Sequence, residues 1–544
     1  MIPTLWAPLG ALVATEFRLR LRSPATWVAV AAFALGFWFW LPSPDGSAVN
    51  LSWETNDGRA QTPHFSSYLV GLACGQLAGV ILPLIGFYLV AGSIRADSRR
   101  GLGPILAATP LPSWVYLSGK MLAHAAYLSF LAAIGLATGA IAFLVRGEGS
   151  MQWLRFAEPT LWVALPMALC VASLAILFDV TPGLRGAGGW VAWFFFFSFF
   201  VMALPAILIG GEDGPELGKL APERTIVYDP SAMMGLHQLV LQSLPDWKPK
   251  SVASGHIVRG KDAKPLEQVE WNGVRLNGAF RRQRLGTALQ ALLPLLLALL
   301  LFDRFDPARR SGKKRVATNA EEGLAVERAA TVAAVGGKRL ADLPAAILDP
   351  SAVRAVFAEM RLTFEALGRW RWLLVLVALA PAALPGIATH ALLLIAVTPI
   401  LAAAGAREAQ SGAIALVRGQ PGVPVSLLAW KGAALAGFAA LLSAPAAVRL
   451  AINSPTAAAS AVAGAALLGL FAATCGSLTG GGKLFAGLHV TAIYIALNGL
   501  RTGDATGLLQ DPTRVPEGPP GLIFFAGLVL ATGVAAALLE ARRR

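Results

Sequence analysis

The sequence predicts an all-α polytopic membrane protein: about twelve transmembrane helices as two parallel six-helix repeats, each preceded by an interfacial helix. Three observations predict it. Of 544 residues, 56% are hydrophobic and only 14% charged, where soluble domains carry about 25% charged residues; the mean hydropathy is +0.61. Many charge-free runs reach the roughly 20 residues that cross a bilayer. A polar loop inside the first half returns inside the second.

The elements follow in order. Near the N-terminus, Leu9, Val13, Phe17 and Leu21 step by four, the spacing of one helix face, and Glu16 is placed to pair with Arg20. Such a helix lies in the cytoplasmic interface and turns into the membrane. Spans are then expected at 24–41, within 65–94, at 121–145, 159–178, 189–210 and 285–302. A polar loop, 42–64, joins the first two, and a turn at 179–188 carries Asp179, Pro182 and Arg185. Residues 211–284 lack a spanning run and read as a folded extracytoplasmic segment, with Tyr228, Met233, Leu236, Leu239, Val240 and Trp247 forming a short helix against the span ends. Residues 304–348 form a charged cytoplasmic linker with a basic cluster, Arg309, Arg310, Lys313, Lys314 and Arg315.

The second half, 349–544, opens on Asp349-Pro350, a helix start signal. Val353 and Phe357, then Met360 and Phe364, repeat the four-residue step, and Arg361 faces Glu365. Residues 372–406 hold no charge. At 1.5 Å per residue they are too long for one span of about 30 Å, so Pro381, Pro385 and Gly386 mark a hairpin of two short spans. Four more spans fall near 432–448, 457–478, 484–500 and 521–539, the last two joined by a short segment, 501–518. The domains are therefore 1–303, the linker, and 349–544.

The net charge is +14. Its basic residues sit mainly in short loops, as the positive-inside rule expects, which places both termini in the cytoplasm and argues against nucleic acid as a partner. Arg18, Arg20 and Arg22 follow an apolar stretch, the wrong order for a cleavable signal peptide. Arg281, Arg282 and Arg284 precede the sixth span on its outer side, against the rule, after a loop too long for the rule to govern. Cys74, Cys170 and Cys475 match no disulfide or zinc pattern and read as small buried hydrophobes.

The repeated loop is "RADSRRGLGPILAATPLPSWVYLSGK" at 95–120 and "AREAQSGAIALVRGQPGVPVSLLAWK" at 406–431. At one offset of 311, Asp97 meets Glu408, Gly101 meets Gly412, Pro110 meets Pro421 and Lys120 meets Lys431. "EFRLRLR" at 16–22 is echoed by "EMRLTFE" at 359–365.

This arrangement resembles ABC-type (ATP-binding cassette) exporter permeases of the type-two superfamily, over nearly the whole chain. The resemblance implies a single-chain fusion of two six-span permease domains, each with an elbow helix, here carrying Glu16, Arg18 and Arg20 in one half and Glu359 and Arg361 in the other. It implies that the loop between the second and third spans docks on an ATPase. In the first half those residues are Asp97, Arg99, Arg100, Gly101, Thr109, Pro110 and the Gly119-Lys120 pair. In the second they are Arg407, Glu408, Gly412, Pro421 and Lys431, with Gln420 and Trp430 departing from the pattern. The implied partners are two copies of a cytoplasmic ATPase and the lipid bilayer, with room for a further extracytoplasmic subunit. ATP and magnesium are expected in the ATPase and no cofactor or metal in this chain, which is then no enzyme. The implied location is the bacterial inner membrane.

The residues offer little other chemistry. "GSLTGGGK" at 476–483 misses the phosphate-loop pattern, with Ser477 and Leu484 at decisive positions, and reads as a flexible turn. His64, His237 and His256 belong to outer segments, and His390 falls near the outer hairpin. His124 and His489 lie within spans, where a neutral imidazole hydrogen-bonded between helices is the expected state. Asp179 and Arg449 lie at span ends, within reach of the interface. A carboxylate at mid-span, as ion-coupled transporters place them, is not found. Three other readings stay open. "GSIRADSRRG" is similar to the basic loop of major-facilitator transporters. A membrane-embedded enzyme would use the outer Asp229, His237, Asp246, His256 and Glu270, which lack catalytic spacing. A regulatory membrane complex that moves no solute is the third alternative.

Overall fold

In hydrocarbon each backbone polar group must be satisfied within its own segment, which favours helix. The computed structural model follows that rule across the residues it describes: 3–43, 46, 48–210, 228–244, 249–258, 266–305, 352–368, 370–384, 386–413, 423–497, 505–507, 509 and 520–542. Val227, Asp246, Trp247, the linker's basic cluster, Asp349-Pro350, Pro385, Gln420, Pro421 and most of 501–518 lie outside them.

Helix α1 (Pro3–Leu21) turns by 76° into α2 (Pro24–Trp40). Ser23 is extended, Pro24 starts the new helix, and the Thr26 hydroxyl closes the corner by donating to the Arg20 carbonyl at 2.6 Å. A helix set at a sharp angle thus precedes the first span. The polar loop that follows contains β1 (Ala48–Glu54) and β2 (Ala60–Pro63). The second span runs through α3 (Ser67–Ile81), a π-turn at Leu82–Gly86 and α4 (Phe87–Val90). Pro83, which cannot donate an i→i−4 bond, accounts for the π-turn. Two short helices, α5 (Ser93–Arg99) and α6 (Leu102–Ala108), lead to α7 (Ser113–Arg146). Helix α7 starts well before 121, so Lys120 lies inside it; hydropathy registers only the apolar part of a helix. Next come α8 (Trp153–Val180), α9 (Ala187–Phe196), a second π-turn (Phe197–Ala203) and α10 (Leu204–Gly210).

The outer segment is not purely helical. Besides α11 (Met233–Ser243) it supplies β3 (Ser251–Val258) and β4 (Leu266–Val269). These join the first loop in a sheet of order β3-β1-β2-β4, parallel between β2 and β4 and otherwise antiparallel. Leu51, Trp53, Leu236, Leu239, Val240 and Trp271 form its own apolar core. Helices α12 (Gly278–Gln290) and α13 (Leu292–Leu301) make one span, Gly278–Leu301. The three outer arginines are therefore part of that span's helix. Arg284 is fully buried and donates to the Asp229 and Pro230 carbonyls, while Arg281 pairs with Glu158 at 2.6 Å. Structural anchoring accounts for Arg281 and Arg284 at this position.

The second half repeats the entry: α14 (Ala352–Glu365) meets α15 (Trp370–Ala383) at 103°. Helix α16 (Ile387–Gly405) completes the expected hairpin, and α17 (Arg407–Ser411) follows it. Then come α18 (Val423–Asn453), α19 (Pro455–Thr479), α20 (Lys483–Leu497) and α21 (Pro520–Arg542). Among the described residues eight helices are long and apolar enough to cross a membrane, or ten if each bent pair counts as one span. The expected twelve is not reached by that measure, because Gly188–Ala203 and Lys483–Leu497 are shorter. The halves meet where α20 packs on α4 and the first π-turn, and where α16 packs on α9.

Candidate functional site

The repeated loop is built on glycine. After Val90 the helix breaks at Gly92, φ +82°, and after α5 it breaks again at Gly101, φ +75°. These left-handed conformations are open to glycine and costly for other residues. Thr109 turns extended, its hydroxyl donating to the Leu106 carbonyl at 2.8 Å, and the prolines at 110 and 112 lead into α7. Gly412 ends α17 in the same left-handed state, φ +76°.

Sequence-singled residues meet beneath these breaks. Lys120, 1% exposed, contacts Glu16 of α1 at 2.5 Å and Asp97 of α5 at 2.7 Å. The Tyr116 hydroxyl donates to Asp97 at 2.6 Å. Thus one buried ammonium ties the elbow helix, the loop and the third span. At Gly119 a Cβ would lie 2.5 Å from Leu12 Cδ2, so the glycine lets α1 close onto α7. In the second half Lys431, also buried, contacts Glu408, and Arg407 pairs with Glu359 at 2.8 Å while donating to the Thr363 hydroxyl at 3.0 Å. Trp430 stands where the first half has Gly119.

Two pairings differ from expectation. Glu16 turns to Lys120, and Arg20 donates instead to the Leu89 and Val90 carbonyls at 3.0 and 3.4 Å. Those are end-of-helix acceptors without an intrahelical donor, and a guanidinium suits them. Arg361 does pair with Glu365, at 2.7 Å on the surface. Arg18, Arg99, Arg100 and Pro110 are exposed and Thr109 is half-buried, so they lie apart from the buried cluster.

Asp179 does not reach towards the interface. It is 7% exposed and accepts from the Gly92 and Ile94 amides at 2.5 and 3.3 Å, capping α5 from another helix. Beside it, Lys483 of α20 donates to the Ala91 carbonyl. Sequence reasoning missed Lys483, treating it as the end of a glycine turn. A lysine closing a charge-poor span was the available signal. Arg449 likewise turns inward, to the Ala382 carbonyl at 2.6 Å. His489 meets the Thr398 hydroxyl at 2.9 Å, as expected between helices, whereas neither ring nitrogen of His124 has a partner among the described residues. His64 pairs with Glu148 at 2.7 Å, and His390 meets the Gly386 carbonyl at 2.7 Å. Among the described residues, groups of three or more His, Cys, Asp or Glu able to hold a metal are absent.

Residues 11–248, from the elbow helix through the repeated loop to the outer segment, match the family model of ABC-2 family transporter proteins. Over this stretch the chain is similar to ABC-2 type permeases. No curated protein and no solved structure matches the chain. An ABC-2 permease is a membrane component of a transporter rather than an enzyme, works with an ATP-binding cassette ATPase, and sits in lipid. The eight to ten candidate spans among the described residues make this a multi-pass membrane protein.

Proposed function

We propose that this chain is the complete membrane part of an ATP-driven exporter, with two permease domains, 1–303 and 349–544, fused through the linker 304–348. Two copies of a cytoplasmic ATPase dock beneath it, at 95–115 and 406–426, and hold the ATP and magnesium. The chain lies in a bacterial inner membrane with both termini cytoplasmic. One observation carries this reading: a charged joint of elbow glutamate, loop carboxylate and buried span lysine occurs in each half, with Lys120 holding both Glu16 and Asp97 in the first and Lys431 holding Glu408 while Arg407 holds Glu359 in the second. Buried ion pairs add little net stability, but they fix register. A loop so tied passes a push from below to the elbow and the span together. The outward face of the first loop is basic and apolar, with Arg99 and Arg100 beside Ile105, 61% exposed, and Trp114, 48% exposed.

The test is copurification. Arg99→Glu with Arg100→Glu is expected to lose the ATPase at low and moderate salt while still inserting in the membrane. Retention equal to wild type at both salts would remove the docking role of those arginines. Purified alone, the chain is expected neither to bind nor to hydrolyse labelled ATP.

A further inference from the structure

The first coupling loop has a second anchor, at the exit of the sixth span. Beyond Leu301 the chain holds Arg304 and Phe305 in left-handed backbone, φ 52° and 62°. Among the described residues Ala232 is the only other non-glycine with positive φ. Such conformations are unfavourable for these side chains and persist where the surroundings over-determine them. The surroundings here are the loop itself. Arg304 Nη2 donates to the carbonyls of Thr109 at 2.6 Å and Leu111 at 3.1 Å, on either side of Pro110. Carbonyls beside prolines in an extended stretch have no helical donor, so the guanidinium supplies one. Phe302 stacks on Tyr116 with ring centres 5.6 Å apart, and Phe305 meets the same ring edge-on at 6.0 Å. That tyrosine is the one bonded to Asp97. Helix α6 rests on Phe305: a Cβ at Gly103 would lie 3.2 Å from its ring.

We propose that Phe302, Arg304 and Phe305 form a clamp that positions the first coupling loop, making the exit of the sixth span part of the ATPase-docking element. The clamp stands on the contacts above; its consequence for docking rests on the function just proposed.

The experiment follows hydrogen exchange of residues 102–112 in the full chain, in lipid nanodiscs without ATPase. Arg304→Ala is expected to speed that exchange about tenfold, the loss typical of a hydrogen bond to a charged group, and Phe305→Ala, which removes the ring under α6, to speed it as well. Phe305→Tyr, which keeps the ring, is expected to match wild type, and residues 407–411 to be unchanged throughout. Unchanged exchange at 102–112 in Phe305→Ala, or equal acceleration at 407–411, would overturn the clamp. Should Phe305→Ala fail to insert, Arg304→Gln carries the same test. ATPase retention is read in parallel: Phe305→Ala is expected to weaken it and Phe305→Tyr to keep it. Faster exchange with full retention would overturn the clamp's part in docking. A wild-type chain that retains no ATPase would instead remove the docking reading and leave the exchange result to decide the clamp.

Discussion

Lys120 is held by two carboxylates, so its loss leaves two negative charges, the buried Asp97 and the half-buried Glu16, facing each other. Breaking a buried pair from one side costs about 3–5 kcal/mol, while replacing all partners by neutral groups is often nearly neutral. Lys120→Met is therefore expected to lower thermal stability in detergent sharply, and Lys120→Met with Glu16→Gln and Asp97→Asn to recover much of it. A triple variant no more stable than the single one would show that the joint is held by something else. His256 offers a pH test outside the membrane. Burial pushes its pKa below the usual value, more than the hydrogen bond from its ring to the Trp40 carbonyl at 2.9 Å raises it. The folded state then binds fewer protons than the unfolded one, so stability is flat above about pH 6.5 and falls as pH drops below it. Melting curves from neutral to mildly acid pH are expected to show a smaller acid loss in His256→Gln. At this scale the sequence was informative where partners are near in the chain: the fixed 23-residue interval from acid to lysine turns out to be a contact in both halves. It was silent on Lys483, whose acceptor lies 392 positions away.

Elements read well in their interiors and poorly at their ends. Apolar runs located the spans, but α7 and α12 begin in polar sequence that hydropathy counts as loop. Strands β3 and β4 escaped notice because their partners β1 and β2 lie about 200 residues away in sequence, and long-range pairing has no local signature; β1 and β2 form a short local hairpin that was read only as a polar loop. The contact of α1 with α7 gives an element-level prediction. Gly119→Ala drives a methyl into Leu12, a kind of overpacking that costs about 1–3 kcal/mol. Leu12→Ala is expected to suppress that defect when combined with it, as read by melting temperature. If the double variant is less stable than Gly119→Ala alone, close packing is not why glycine precedes the lysine.

For the whole molecule the two halves are alike in plan and unlike in detail. Among the described residues the sheet domain rises from the first half alone, anchored by Arg284 beneath Asp229 and Pro230. That plan predicts that Asp57 and Glu267, on β-sheet loops and strands of one domain, face the same side of the membrane, opposite Arg99. Cysteines placed at 57 and 267 are expected to react with an impermeant maleimide from outside intact cells, and one at 99 only after lysis. Labelling of 267 and 99 from the same side would break the topology. The all-α membrane character was legible because composition and charge alternate with each crossing. The asymmetry was not, because the segment's polar composition says only that it lies outside the bilayer, not what it pairs with.

The grip of Lys483 on the Ala91 carbonyl, beside the glycine break and the Asp179 cap, puts one half's span on the other half's lever. Read as linkage, that contact belongs to two equilibria at once. Whatever binds the first loop and whatever displaces α20 must each change the other's affinity by the same factor. If the contact differs between two states of the chain, the effect runs equally in both directions, through a single lysine that closes the end of a helix.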